Sequence, residues 1–291
     1  MSVVRLTSPW TRIIEYPENH LNDFCLFRAH DGRWHAIGIM GTGTWASETS
    51  LFHCSSDGLA GAYEKHEPLL AVTSQGTTAN AAPQKHAPFV VGSALSERGG
   101  YQMFYRRPYG TSLRVRSDDL FHWSDPPEVV FEENDARDAC IQCFDGVYHW
   151  YYCQWRVVNG VGRSCILLRR SDDLERWSEA VAVHVNESRE VKHSHLESPF
   201  VIHEAGRYWL FVRDRSQDAR CLTTVFASPS PDRFASGVHA WDAELENVHA
   251  PELVRWDGRW YIARVSGPPD HVAGAPKRGG WIDLAEIAFG D

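Results

Sequence analysis

Five stretches of the chain repeat one pattern of apolar and polar positions. An apolar run leads into a short turn, and a second run rich in aromatic residues follows. The clearest copy spans His195 to Val212, where Phe200, Val201 and Ile202 precede a turn at Glu204 to Gly206 and the run Tyr208 to Val212 follows it. Short apolar runs bounded by turn residues predict two antiparallel strands joined by a tight turn. The other copies are Asn22 to Gly38, His86 to Tyr105 (with a longer turn before Gly100), Arg137 to Tyr152 and His249 to Ala263.

Each pair carries a second half, read as a further strand and a polar turn. Ser117 to Trp123 and Ser171 to Trp177 share the string S-D-D-L-x-x-W, and Ser55 to Tyr63 and Ser228 to Phe234 are looser versions. The fifth copy stops early, at Trp281 to Phe289, so its outer strand is expected from the other terminus, within Val3 to Tyr16. The copies recur at intervals of 63, 52, 59 and 52 residues, measured between Asp23, His86, Asp138, Glu197 and His249. Repeats of roughly 40 to 50 residues or a little more suit the blades of a propeller better than helical repeats. The expected fold is therefore all-β: a five-bladed β-propeller, one domain over residues 1–291, closed by N- and C-terminal strands so that no sheet edge is left open. Helical periodicity nowhere exceeds about two turns. Gly76 to Pro83 and Gly267 to Gly280 read as long surface loops, the second bearing His271 and Lys277.

Composition narrows the functional classes. A hydrophobic content of 43% over 291 residues supports a large core. The net charge of −9 supplies no attraction for nucleic acid or an anionic membrane. No apolar run approaches the ~18 residues of a membrane span, and the first residues lack a signal-peptide core. Seven irregularly spaced cysteines argue for a reducing compartment, so a cytoplasmic location is expected. Cys140 and Cys143 form a C-x-x-C inside a predicted strand with no second pair, and read as buried thiols rather than a zinc site. Neither a metal nor a cofactor is expected.

Aligned on the turn or on the proline, one position of the five copies holds Asp23, His86, Asp138, Glu197 and His249. Innermost strands of a propeller line its channel, so such residues would converge. Two readings stand: a repeated polar residue bonding a neighbouring backbone, or a functional site. Gathering three carboxyl groups and two imidazoles is costly, and such clusters mark functional sites more often than stabilising ones. Two carboxyl groups, one acid and one base or nucleophile, are what glycosidic cleavage requires.

With these residues in place, the chain resembles the five-bladed β-propeller glycoside hydrolases of families 32, 43 and 68, as an outlying branch. Asn22-Asp23 is similar to the start of the N-D-P-N-G motif of family 32, Arg137-Asp138 to its R-D-P, and Glu197-Ser198-Pro199 to its E-C-P. Phe24, Cys25 and Ala139 depart from those motifs. His86-Ala87-Pro88 is similar to the W-A-P of family 43, as is the lack of length for the C-terminal β-sandwich usual in family 32. The resemblance implies a furanosidase acting on fructosyl or arabinosyl groups, with xylosides as a family 43 option. It implies Glu197 as general acid, Asp23 as nucleophile or water-activating base, and Asp138 as stabiliser of the oxocarbenium-like state, with Arg137 holding its carboxylate. Asn22, His86 and His249 would contact substrate hydroxyls, the two histidines being alternatively candidates for an axial ion. Trp45 and Trp155 would stack on a sugar face, although a core role is equally open to each. His193 and His195 would act in the site or stand as solvated loop residues. The N-D, R-D and E-S-P contexts lean towards retention through a glycosyl–Asp23 intermediate. The alternatives are a carbohydrate-binding propeller without catalysis, and a phosphorylase using Arg106, Arg107 or Arg213 to hold phosphate.

Overall fold

The computed structural model describes residues 4–43, 45–70, 84–92, 100–107, 110–215, 221–236, 242–266 and 279–290. The stretch Gly76 to Pro83 lies outside these residues, as do His271 and Lys277 and the side chain of Trp45.

The described chain forms five antiparallel sheets, four of them four-stranded meanders in chain order. Sheet 1 runs through His20–Arg28, Trp34–Gly41, Ser50–Ser56 and Glu64–Lys65. Sheet 2 uses His86–Gly92, Tyr101–Arg107, Thr111–Ser117 and Glu128–Glu132, and sheet 3 uses Arg137–Phe144, Val147–Val158, Val161–Ser171 and Val181–Asn186. Sheet 4 comprises Leu196–Glu204, Arg207–Asp214, Thr223–Ser228 and Ala243–Leu245. Sheet 5 has His249–Trp256, Arg259–Ser266 and Gly280–Phe289, completed as expected from the other end of the chain: Val4 pairs with Phe289, and Thr11 with Leu284.

The first hairpin turns follow from their sequences. Asp145-Gly146, Ala205-Gly206 and Asp257-Gly258 each have two successive residues at positive φ. A two-residue turn with that signature matches the twist of the flanking strands, and glycine adopts its second position without steric cost. The S-D-D-L strings make a different device. The Ser117 hydroxyl accepts the Leu120 N–H at 2.8 Å, while Asp119 accepts the N–H groups of Phe121 and His122. Ser171, Asp173 and Leu174 repeat that pattern. Local side-chain bonds of this kind hold Leu120 and Leu174 at positive φ and drive both leucines into the core.

Contacts group the described chain into two compact units. One contains sheets 1 and 2 with Thr11–Tyr16 and the beginning of Gly280–Phe289; its core is built on Ile37, Ile39, Leu51, Met103, Leu113 and Val115. The other contains sheets 3 and 4, His249 to Arg264, Val4–Leu6 and the end of the last strand; Trp150, Tyr151, Tyr152, Trp209 and Phe211 are its largest fully buried side chains. The central strands are buried on both faces, which is why they read as continuous apolar runs rather than alternating ones.

Candidate active site

The site residues sit at one recurrent irregularity. In sheets 1 to 4 the first strand carries a β-bulge near its start. Two residues oppose one on the neighbouring strand: Asn22-Asp23, Ala87-Pro88, Asp138-Ala139 and Ser198-Pro199. The first bulge residue has positive φ at Ala87, Asp138 and Ser198, and Ala250 repeats this in the H-A-P-E string of sheet 5. Bulges re-aim the side chains around them, and families keep them next to functional sites.

This register corrects the alignment drawn from sequence. The residue immediately before the bulge is Leu21, His86, Arg137 and Glu197 in sheets 1 to 4, with His249 in the same place of the H-A-P-E string. Asp138 stands one place later and Asp23 two places later, so the five polar residues do not share one position. The reason is local. A proline marks the second bulge place in sheets 2 and 4 and follows Ala250 in sheet 5, whereas Asp23 and Ala139 occupy the second bulge place in sheets 1 and 3, leaving only the turn to set the alignment.

Glu197 is the centre of an acidic cluster in sheets 3 and 4. Its carboxylate accepts hydrogen bonds from Arg213 and Arg215, each at 3.2 Å, and the Arg137 guanidinium stands 3.7 Å away. The next residue, Ser198, donates its N–H to the Asp138 carboxylate at 3.0 Å, and Arg137 Nε is 3.9 Å from the same oxygen. Arg137 also donates to the carbonyls of Ser194 and Leu196, which fixes the guanidinium between the two acids. Burial pushes the Glu197 carboxyl above its ordinary pKa; Asp138 pushes the same way, and Arg137, Arg213 and Arg215 pull against them. Its side chain is still 16% exposed, so a proton can be exchanged with whatever fills the site. Arg213, a candidate phosphate ligand from sequence, donates a hydrogen bond to Glu197.

Sheet 1 and the strand His86–Gly92 hold a second acidic centre that sequence reasoning missed. Glu48 follows the short 3₁₀ turn Trp45–Ser47 and is fully buried. The His20 ring donates to it at 2.9 Å, His86 Nε2 lies 3.2 Å from its other oxygen, and Asn22 Nδ2 is 3.5 Å away. Burial raises the Glu48 pKa, but the bonds from His20 and His86 outweigh it and bring it down to about 2. His86 thus has a carboxylate partner that its H-A-P string did not reveal. Asp23 is half-buried beside Asn22.

Other expected residues are placed less directly. Trp155 donates its indole N–H to Val191 at 2.8 Å and packs against Gly162, where an added Cβ would lie 2.8 Å from Nε1; the ring is part of sheet 3 packing. His195 stacks on His193 at 4.8 Å between centroids and is half-buried, with its pKa lowered by burial. His249 is half-buried at the start of its strand. Cys140 is buried, but Cys143 is exposed, which corrects the expectation of two buried thiols: three residues along a strand point to opposite faces.

No family model and no curated protein matches the chain. Solved structures do. A thermostable family-43 glycoside hydrolase matches with a TM-score of 0.63 at 17% identity, over 94% of this chain and 91% of the other. A family-43 β-xylosidase/α-arabinofuranosidase from a compost microbial metagenome, in complex with xylotriose, matches at 0.60 and 14% identity, over 98% and 95%. The catalytic domain of a Coprinopsis cinerea family-62 α-L-arabinofuranosidase matches at 0.67 and 13%, over 97% of each chain. The fold is the five-bladed β-propeller. The resemblance drawn from sequence therefore leads to the right architecture, shared over nearly the whole propeller with proteins of families 43 and 62. Identity this low carries the fold and not the chemistry.

Proposed function

We propose that this propeller is a glycoside hydrolase acting on pentose-containing carbohydrate, arabinosyl or xylosyl, with Glu197 as general acid. The observation that carries the proposal is the pairing of Glu197 with Asp138 across Arg137, with burial raising the pKa of the one acid. An acid meant to protonate a leaving group near neutral pH needs that shift. Asp138, fixed by the Ser198 N–H, is suited to stabilise positive charge developing on the sugar ring. Asp23 is assigned as nucleophile or water-activating base. Glu48 is the other candidate from the same unit, but its oxygens already serve His20 and His86. The pentose assignment rests on the activities of the similar structures; nothing in those comparisons favours fructosyl substrates. The seven free cysteines, Cys143 exposed among them, support a reducing location such as the cytoplasm, which cell fractionation would check.

The test uses leaving groups. A general acid matters when the departing alcohol is poor and is dispensable when it is good. Glu197→Gln is expected to lower kcat on an unactivated arabinosyl or xylosyl oligosaccharide by about 10² to 10⁴-fold. On the matching 2,4-dinitrophenyl glycoside most activity should survive. Equal loss on both would remove Glu197 from the acid role, and no cleavage across arabinosides and xylosides by the wild-type protein would remove the proposal. The retention expected from sequence leaned on matching Asp23 to the family 32 motif, and the bulge register weakens that match. NMR of the first-formed anomer decides the stereochemical course.

A further inference from the structure

Glu48 lies between strands, on a short segment that is fixed from two sides. On one side Ser47 Oγ accepts the Thr42 N–H at 2.8 Å, and a Cβ added to Gly41 would lie 2.8 Å from the same oxygen, so the segment packs closely on the end of Trp34–Gly41. On the other, Lys85 donates its N–H to the Glu48 carbonyl at 3.2 Å and its ammonium group to the Thr49 carbonyl at 3.3 Å. Gln84 reaches the Ala46 carbonyl at 3.5 Å. The Glu48 side chain is 2% exposed, too enclosed to touch a substrate, and the bonds it accepts keep it ionised. A buried ion rarely stabilises a fold more than an apolar residue of its size would, and its best-attested use is to fix register.

Its partners stand where register is least determined. Leu21 pairs with Met40 and Phe24 with Gly38, so Asn22 and Asp23 together oppose Ile39 and the ladder alone does not hold them. His20 and Asn22 are two residues apart on the first strand of sheet 1, hence on one face, and both donate to Glu48 Oε1, at 2.9 and 3.5 Å. The other oxygen faces Nε2 of His86 at 3.2 Å, the residue just before the bulge of sheet 2. One carboxylate therefore spans the starts of two first strands, beside both bulges. We propose that Glu48 is a positioning residue, which through His20 and Asn22 holds the Asn22-Asp23 bulge in the register that aims Asp23 at the substrate. The bracket acts on the backbone that carries Asp23 and adds to whatever Asp23 itself engages. This rests on the reading of Asp23 as nucleophile or base and names the residue that keeps it in place. Glu48 makes no bond and moves no proton in turnover, so replacing it should lower the rate without removing a titration.

The test compares the wild-type protein with Glu48→Gln, Glu48→Asp and Asp23→Asn. Glutamine keeps the volume and one acceptor oxygen but loses the charge, and aspartate keeps the charge on a shorter arm. The first readout needs no turnover. Crystal structures of the wild type and Glu48→Gln should show the Asp23 carboxylate displaced by about 1 Å, a shift large enough to cost up to about 10²-fold in rate, while the other strands superpose. An unmoved bulge overturns the proposal, whether or not the protein cleaves any glycoside. The second readout is kcat and KM on a 2,4-dinitrophenyl arabinoside or xyloside, whose leaving group needs no acid. Glu48→Gln is expected to lower kcat by about ten- to a hundredfold with KM changed less than about threefold, and Glu48→Asp to fall between it and the wild type. The acid limb of the pH profile of kcat/KM should persist, because Asp23 still titrates. A kcat for folded Glu48→Gln within about twofold of the wild type would overturn the proposal. So would loss of the acid limb, which would make Glu48 itself the base, or recovery of the wild-type kcat when an osmolyte restores stability, which would make its role structural only. Asp23→Asn keeps the two readings apart. Near-normal activity in that variant removes the Asp23 assignment and leaves the bracket to the crystal structures; lost activity there with full activity in Glu48→Gln removes the bracket alone.

Discussion

At the scale of single residues, the two acidic clusters handle their carboxyl groups in opposite ways. Glu197 is drawn towards the protonated form by burial and Asp138, and Glu48 is held ionised by two ring N–H groups. That contrast predicts different outcomes for substitution. Asp23→Asn should cost activity by several orders of magnitude if Asp23 attacks or activates water, with an unchanged melting temperature, since the side chain is only half-buried. Glu48→Ala should instead cost stability, by about 3 to 5 kcal/mol, because it strands two buried imidazoles. Denaturant titration and turnover measured on the same two variants separate the roles; loss of activity in Glu48→Ala at unchanged stability would move the second catalytic carboxylate to Glu48. Glu197 was legible because an E-S-P string precedes an apolar run. Glu48 was not, since a single acid in W-A-S-E-T carries no periodicity and only folding brings it to His20 and His86.

At the scale of elements, the strands were legible and their register was not. Apolar runs and D-G or A-G turns specify a hairpin by local chemistry, so the five pairs appear where expected. A bulge changes which side chain faces which way without changing composition, so Asp23 and Asp138 could be matched to Glu197 in sequence and still stand at different bulge places. Glycine makes the same point within sheet 1. Gly38 pairs with Phe24 just past the bulge, and a Cβ there would stand 2.4 Å from Phe24 Cβ and 2.5 Å from the Phe52 ring. Neither neighbour can retreat, since both are buried in the core. Gly38→Ala is expected to destabilise the protein by about 3 kcal/mol or to prevent soluble expression, an overpacking cost at the upper end of the usual range. A melting temperature within a degree or two of the wild type would show that the first strand of sheet 1 can slide.

At the scale of the whole molecule, the buried histidines set how stability depends on pH. In the unit holding sheets 1 and 2, His35 and His53 share a 2.9 Å hydrogen bond, His66 bonds Ser55 at 2.7 Å, and the Phe121 ring lies about 5 Å from the His53 and His66 rings. Burial brings His53 down to about 3, helped by the positive charge that His35 and His66 would carry, and it lowers His35 and His66 as well, against the pull of Asp31 and Glu64. In the other unit His184, whose Nδ1 donates to the Ala235 carbonyl, is lowered by burial to about 4. The sign follows directly. Each of these imidazoles stays neutral in the fold while the unfolded chain takes up a proton near pH 6.5, so the unfolded state binds more protons in the window between. Stability is therefore fully present above about pH 6.5 and falls as pH drops towards 4. Two histidines with shifts this large amount to at most about 2 to 3 kcal/mol per pH unit well inside that window. Glu197 opposes the trend, because an acid whose folded pKa is raised favours the fold as pH falls, but it is one group against several. The melting temperature, followed from pH 7.5 to 5, should fall by several degrees, with the steeper part below pH 6. His184→Asn keeps a donor for the Ala235 carbonyl and removes the titrating ring, so its profile should be shallower. A flat profile in the wild-type protein, or an equally steep one in His184→Asn, would mean that water reaches these rings and that their burial does not govern the acid response.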